Sequence, residues 1–178
     1  DKTKKFNNFK VYKNYFKKFH IIIDQNKRKK FIETELLRIS KRKNLNIEID
    51  GKLLDEVTNL VNRPNILICK FDEKFLKIPK EVLITSMQFH QKYFPTFDNK
   101  GNITNNFLVV ANNKDNKGFI KSGNERVVNA RLSDAQFFWE KNKSNNLVKQ
   151  VSKLKLINYF KGLGTYFDKI QRMRKLGG

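Results

Sequence analysis

The side chains in this 178-residue chain that could do chemistry are few: two histidines, one cysteine and a paired-glycine turn. His90 stands at the expected end of a helix, beside Gln91-Lys92-Tyr93, and is the one serious acid/base candidate. A lone histidine completing an apolar helix face is more often structural, and that reading is favoured. Cys69 lies inside the apolar run Ile66-Leu67-Ile68-Cys69 with no base beside it, so it reads as a small buried hydrophobe rather than a thiol nucleophile. His20, His90 and Cys69 are too scattered for a zinc or iron site. Gly162-Leu163-Gly164-Thr165 could cradle a phosphate, but it lacks both the lysine of a Walker loop and the third glycine of a dinucleotide fold. It reads as a helix-breaking turn. Arg126, Arg131 and Asp134 fall on one helix whose other side is apolar. They make either a surface ion pair, Arg131–Asp134, or a polar platform for a ligand or an RNA end.

The elements that must position these residues follow from periodicity. Phe9, Tyr12, Phe16 and Phe19 predict an amphipathic helix near 8–20, its aromatics in the core and its lysines outside. Ile21-Ile22-Ile23 reads as a short β run. A helix over 26–43 would turn Phe31, Ile32, Leu36 and Ile39 inward. Residues 46–50 suggest a brief strand, and Leu53, Leu54, Val57, Leu60 and Val61 a short helix ended by Arg63-Pro64. Asn65 to Phe71 reads as a strand covered on both faces. Pro79 opens a helix over 79–91 with Val82, Leu83, Ser86, Met87 and His90 inward.

Tyr93–Phe97 and Phe107–Ala111 flank Asp98-Asn99-Lys100-Gly101 as a hairpin, with Gly101 left-handed. Residues 112–118 read as a polar, mobile loop. Ser122-Gly123-Asn124-Glu125 matches a capping box that opens a helix burying Val128, Leu132, Ala135 and Trp139. A basic helix over 147–156 follows, then one capped by Thr165 with Tyr166, Phe167, Ile170 and Met173 inward. The expected class is α+β: a small mixed or antiparallel sheet with a hairpin, packed by several helices.

Charge organises the chain more sharply than chemistry does. The net charge is +21, unevenly spread. Residues 1–43 carry 15 Lys/Arg against 4 Asp/Glu; residues 141–178 carry 10 against 1; residues 44–140 are near balance at 13 against 12. A neutral centre with two basic ends suits a packed domain flanked by elements that face a polyanion. The division expected is a basic helical segment over 1–45, an α+β core over 46–142 and a basic helical extension over 143–178 leading to a next domain. The RNA-binding candidates are Lys27, Arg28, Lys29, Lys30, Lys41, Arg42, Lys43, Lys92, Arg126, Arg131, Lys149, Lys153 and Lys155. No apolar run reaches membrane-spanning length, and a single cysteine suits a reducing, cytoplasmic setting. Because the chain starts at Asp1 and stops inside a basic helical pattern, it reads as an excised piece of a longer polypeptide.

Four strings then carry a specific resemblance: EVTNLVNRP (56–64), FDEKFLKIPKEVLITSMQFHQKYFPTFDNKGNITNNFLVVAN (71–112), GNERVVNARLSDAQFFWE (123–140) and LGTYFDKIQRM (163–173). In order and spacing they resemble the beta subunit of bacterial-type glycyl-tRNA synthetase over about residues 50–175, while residues 1–49 match in character alone. The resemblance implies a class II aminoacyl-tRNA synthetase of two alpha and two beta subunits. That ligase activates glycine with ATP in the alpha subunit and transfers it to tRNA(Gly). The beta subunit supplies tRNA-binding domains, an HD-type helical domain and an anticodon-binding domain.

This segment would fall in the N-terminal half of that subunit, in a region likened to the B3/B4 module of phenylalanyl-tRNA synthetase. The expected partners are tRNA(Gly), the alpha subunit and the remaining beta-subunit domains, with no membrane and no cofactor in the segment itself. The motif positions carried over are His90, Gln91, Lys92, Tyr93 and Phe94, then Gly123, Asn124, Glu125, Arg126, Ala130, Arg131, Asp134, Phe137 and Phe138. Two positions depart from the family pattern: Arg63 stands where an aromatic is usual, and Phe160-Lys161-Gly162 replaces a helix-favouring stretch. The segment is expected to be non-catalytic alone. Its rivals are an editing-like hydrolase using His90 with Glu125 or Asp134 on mischarged tRNA, and a structural module meeting acidic proteins.

Overall fold

The computed structural model describes residues 3–144 and 146–177, and the chain divides into two compact units, Asp1–Gln136 and Phe137–Gly178. The first unit is α+β and is built around a four-stranded antiparallel sheet in the order β1-β3-β4-β2, with β1 at Asn46–Ile47, β2 at Asn65–Lys70, β3 at Phe94–Phe97 and β4 at Ile103–Ala111. β2 and β4 pair in unbroken register from Asn65–Ala111 to Lys70–Asn106. Alternation along these strands sends Ile66, Ile68, Leu108 and Val110 to one face, and Leu67, Cys69, Phe107 and Val109 to the other. That is why Asn65–Lys70 is apolar without a polar side.

Each face is covered. On one lie α2 (Gln25–Arg42) and α3 (Gly51–Leu60), which bring Ile32, Leu36, Ile39, Leu53, Leu54 and Val57 against Phe94 and Leu108. On the other, α4 (Lys80–Gln91), the helix α5 (Phe119–Ser144) and a 3-10 turn at Glu73–Lys77 bring Leu83, Met87, Val128, Leu132 and Phe75 against Phe107 and Tyr93. The sheet is therefore the middle of three layers, each packing an apolar stripe onto it.

Local chemistry sets the boundaries. Asp24 and Asp50 cap α2 and α3, accepting from Lys27 N–H and Leu53 N–H at 2.9 and 2.8 Å. Pro95 fits inside an interior strand because β1 pairs only Thr96 and Phe97, leaving no partner for an amide at 95. The β3–β4 hairpin turns at Gly101, in the left-handed region at φ 80°, while Asp98 Oδ1 accepts from the amides of Lys100 and Asn102.

Several expectations change. Ile21-Ile22-Ile23 is not a strand; it runs outside the sheet, with Ile22 N–H donating to Asn62 C=O at 2.9 Å. Helix α1, Phe9–Lys17, buries no residue. Its aromatics stack on one another at the surface instead, Tyr12 on Phe16 at 4.7 Å and Tyr15 against Phe19 at 5.2 Å, with Lys4 Nζ 3.9 Å from the Tyr15 ring centre. Phe31 and Leu60, expected inward, are exposed. α5 begins at Phe119, three residues before Ser122. Its first amides, Ile120 and Lys121, donate to the Asp115 carboxylate, so the Ser122–Glu125 capping box does not form. Val128 and Leu132 are buried as expected, while Ala135 and Trp139 are half-buried. His90 is exposed, not on the inward face of α4.

The second unit holds a one-turn helix α6 (Leu147–Gln150), a 3-10 turn at Val151–Leu156, a hairpin of β5 (Asn158–Phe160) and β6 (Gly164–Thr165), and α7 (Tyr166–Gly177). The single helix expected over 147–156 is thus two shorter pieces. The glycine pair does make the expected turn: Gly162 and Gly164 take φ of 83° and 77°. Thr165 caps α7, its Oγ1 accepting from Asp168 N–H at 3.3 Å while the Asp168 carboxylate accepts from Thr165 N–H at 2.7 Å. Those bonds hold the Asp168 carboxyl below the usual carboxylate range. No described residue of this unit is fully buried, and Tyr166, Ile170 and Met173 are exposed rather than inward.

Candidate nucleic-acid interface

Helix α2 sorts its side chains by angle. At about 100° per residue, Arg28, Ile32, Leu36 and Ile39 share one side, and all four are buried. Lys27, Lys30 and Lys41 fall on the opposite side and are exposed, as are Arg42 and Lys43 at the C-terminal end. Two cationic groups, 27–30 and 41–43, thus lie roughly 20 Å apart along a rigid rod at 1.5 Å per residue. None of these five is held in an ion pair among the described residues.

Three of the other candidates are engaged elsewhere. Lys29 pairs with Asp55 at 2.6 Å, and Lys92, in the left-handed conformation that ends α4, pairs with Glu56 at 2.5 Å. Arg28 is a correction. It is buried, with its Nε donating to Thr58 C=O at 2.8 Å and its Nη1 to Ile22 C=O at 2.6 Å and Ile23 C=O at 3.2 Å. It sat in a basic run and was indistinguishable there from its neighbours; the helix phase of Ile32, Leu36 and Ile39 was the signal that places it inward. Arg126 and Arg131 are exposed on α5, and Arg131 makes no ion pair with Asp134. Lys149, Lys153 and Lys155 lie in the second unit, all exposed, with Lys155 Nζ 4.8 Å from the Phe167 ring centre.

The motif residues on α5 fasten the sheet. Tyr93 hydroxyl donates to Asn124 Oδ1, whose Nδ2 donates to Ile120 C=O at 2.6 Å. Glu125 accepts from Lys70 N–H at 2.8 Å, and Asn129 Oδ1 accepts from Asp72 N–H at 2.9 Å. Lys70 ends β2 and Asp72 follows it, both on the sheet's outer edge, and satisfying their amides blunts an edge that would otherwise recruit another strand. Asn129 was overlooked at the sequence level. Asn112 was too: its Oδ1 accepts from both Asn62 and Arg63 N–H, at 2.8 and 3.0 Å, anchoring the loop expected to be mobile.

The candidates His90, Glu125 and Asp134 form no acid/base pair with one another. Glu125 is taken up by the Lys70 amide and lies 3.8 Å from Lys121 Nζ, while His90 and Asp134 face solvent. Gln91 lines a shallow cleft with Tyr93 and Asn124, and that cleft holds neither His90 nor an acid. Cys69 is buried, and desolvation, with Glu125 nearby, pushes its thiol up to about 12, away from any nucleophilic role at neutral pH. Burial likewise raises Tyr93 to about 12. Among the described residues no group of three His, Cys, Asp or Glu side chains is placed to hold a metal ion, and no helix is long and apolar enough to cross a membrane.

The pattern of the family described as "Glycyl-tRNA synthetase beta subunit" matches residues 1–178, and the chain belongs to that family. It is 40% identical over 169 residues to the glycine–tRNA ligase beta subunit of Rickettsia felis, covering 94% of this chain and 26% of that one. It is 41% identical over 166 residues to that of Thermodesulfovibrio yellowstonii (93% and 24%), and 44% identical over 128 residues to that of an Acidovorax species (71% and 18%). The chain thus spans about a quarter of the length of the first two relatives and less of the third.

Proposed function

We propose that this chain acts within a cytoplasmic glycine–tRNA ligase, as a beta-subunit segment that binds tRNA and scaffolds the assembly while an alpha subunit uses ATP to activate glycine. One observation carries the reading beyond family membership: Lys27, Lys30, Lys41, Arg42 and Lys43, on α2 and at its C-cap, face solvent with no ion pair among the described residues, while Lys29, Lys92 and Arg28 are neutralised or buried. Cations left free in this way displace counterions from a phosphate backbone and release them to solution, a favourable and salt-sensitive step. The surface offers phosphate contacts and few groups to read base edges, so it positions tRNA without specifying its sequence.

In this reading the first unit, α2 included, supplies the packed core, and the exposed cations of the basic 1–45 and 143–178 stretches meet RNA. The whole ligase provides the test. With Lys27, Lys30, Lys41, Arg42 and Lys43 changed to Gln in the full subunit, the KM for tRNA(Gly) should rise at least tenfold while kcat changes less than twofold. An unchanged KM defeats the proposal. Loss of a measured deacylation activity on His90→Ala would favour hydrolytic editing instead.

A further inference from the structure

The first unit carries a second feature that the α2 surface does not explain. A cleft of about 480 Å³ opens where the Ile21–Ile23 segment passes over α2 and the Arg63-Pro64 turn. Its floor is apolar, from Ile21, Ile22 and Pro64, and the half-exposed ring of Phe31 forms part of its wall. Three cations, Lys17, Arg63 and Lys114, come to it from separate parts of the chain. No acidic residue lines it, and none of the three is held in an ion pair among the described residues. Cations converging without counter-charge on an apolar, aromatic-walled hollow suit a ligand that is planar in one part and anionic in another.

We infer that this cleft takes one unstacked nucleotide of a single-stranded RNA segment, its base against Phe31 and Pro64 and its flanking phosphates at Lys17, Arg63 and Lys114. The volume admits one base with its sugar. Phe31 lies four residues after Lys27 on α2, so the cleft continues the exposed cationic side of that helix. A strand following α2 by its phosphates would reach the cleft directly. The cleft's shape is set by groups that are not part of its lining: the Arg28 guanidinium and the Asn62 backbone carbonyl hold the Ile22 backbone in place. A charged patch alone would bind duplex and single strand alike, whereas a base-accepting cleft favours the strand whose bases are free.

This inference rests on the proposed RNA-binding role, and its test separates the two. Fluorescence anisotropy would compare a short labelled single-stranded RNA, a blunt RNA duplex and intact tRNA on the 178-residue protein and two variants. Phe31→Leu keeps apolar bulk and removes the ring; Arg63→Gln removes one cation. Phe31→Leu should weaken the single strand roughly tenfold, the loss of one stacked base, and leave the duplex unchanged. Arg63→Gln should lower the salt slope for the single strand by about one. If Phe31→Leu binds the single strand as the wild type does, while tRNA binding stays salt-sensitive, the cleft assignment is wrong and the wider role stands. Salt-insensitive tRNA binding defeats both. Displacement of the single strand by a poly-glutamate peptide as readily as by unlabelled RNA overturns the cleft assignment in favour of an acidic protein segment.

Discussion

Arg28 and its neighbours show how little a residue's charge says about its task. Lys27, Arg28, Lys29 and Lys30 are adjacent in sequence, yet two face solvent with no ion pair among the described residues, one meets Asp55, and Arg28 is buried on three backbone carbonyls. Arg28→Ala removes a charged donor and leaves Thr58, Ile22 and Ile23 carbonyls without it, so it should cost about 2–4 kcal/mol. Urea denaturation of the variant checks this. Lys27→Ala should cost far less, since Lys27 is exposed. Cys69 and Tyr93 give a pH prediction. Both hold their protons more tightly folded than unfolded, rising from 9.0 and 10.0 to about 12. Their contribution is therefore complete below pH 9 and is lost as pH rises from 9 toward 12, at roughly 1.4 kcal/mol per pH unit for each group in its window. Cys69→Ala should flatten the alkaline slope of stability. The native thiol should also resist a disulfide reagent at pH 8 until the protein unfolds.

At the scale of elements, α5 is the piece that secures the sheet, and it does so by accepting from backbone amides at the end of β2 and just beyond it. Asn129→Ala should cost about 1 kcal/mol and free the Asp72 amide to exchange, with the centre of β4 still protected; hydrogen exchange followed by NMR reads both. Much of the fold was legible in the sequence where one signal acted alone. The continuous apolar run at 65–70 required cover on both faces, and Gly101 and Thr165 marked their turn and cap. The failures came where two signals competed. Ser122-x-x-Glu125 has the capping pattern, but Asp115 lies further upstream on a loop able to fold back, and it captures the first amides. The aromatics of α1 have helical spacing, yet spacing cannot tell a core stripe from a surface stack. The cleft was illegible because Lys17, Arg63 and Lys114 meet only after folding.

At the scale of the molecule, all the fully buried hydrophobic residues described lie between Ile32 and Leu132, in the first unit. A chain ending at Ser144 should therefore keep cooperative unfolding, with stability within about 1 kcal/mol of the 178-residue protein; loss of the transition on calorimetry would contradict this. Basic character is distributed over both units, and its proposed role is to meet a phosphate backbone. The most direct measurement is the tRNA affinity of the protein across a salt series, beside the variant with Lys27, Lys30, Lys41, Arg42 and Lys43 all changed to Gln and a control with Lys29 and Lys92 so changed. The logarithm of affinity should fall linearly with the logarithm of salt, and the five-site variant should lose roughly 3 to 4 from that slope, while the control barely moves. Affinity indifferent to salt, or a five-site variant with the full slope of the wild type, would contradict it.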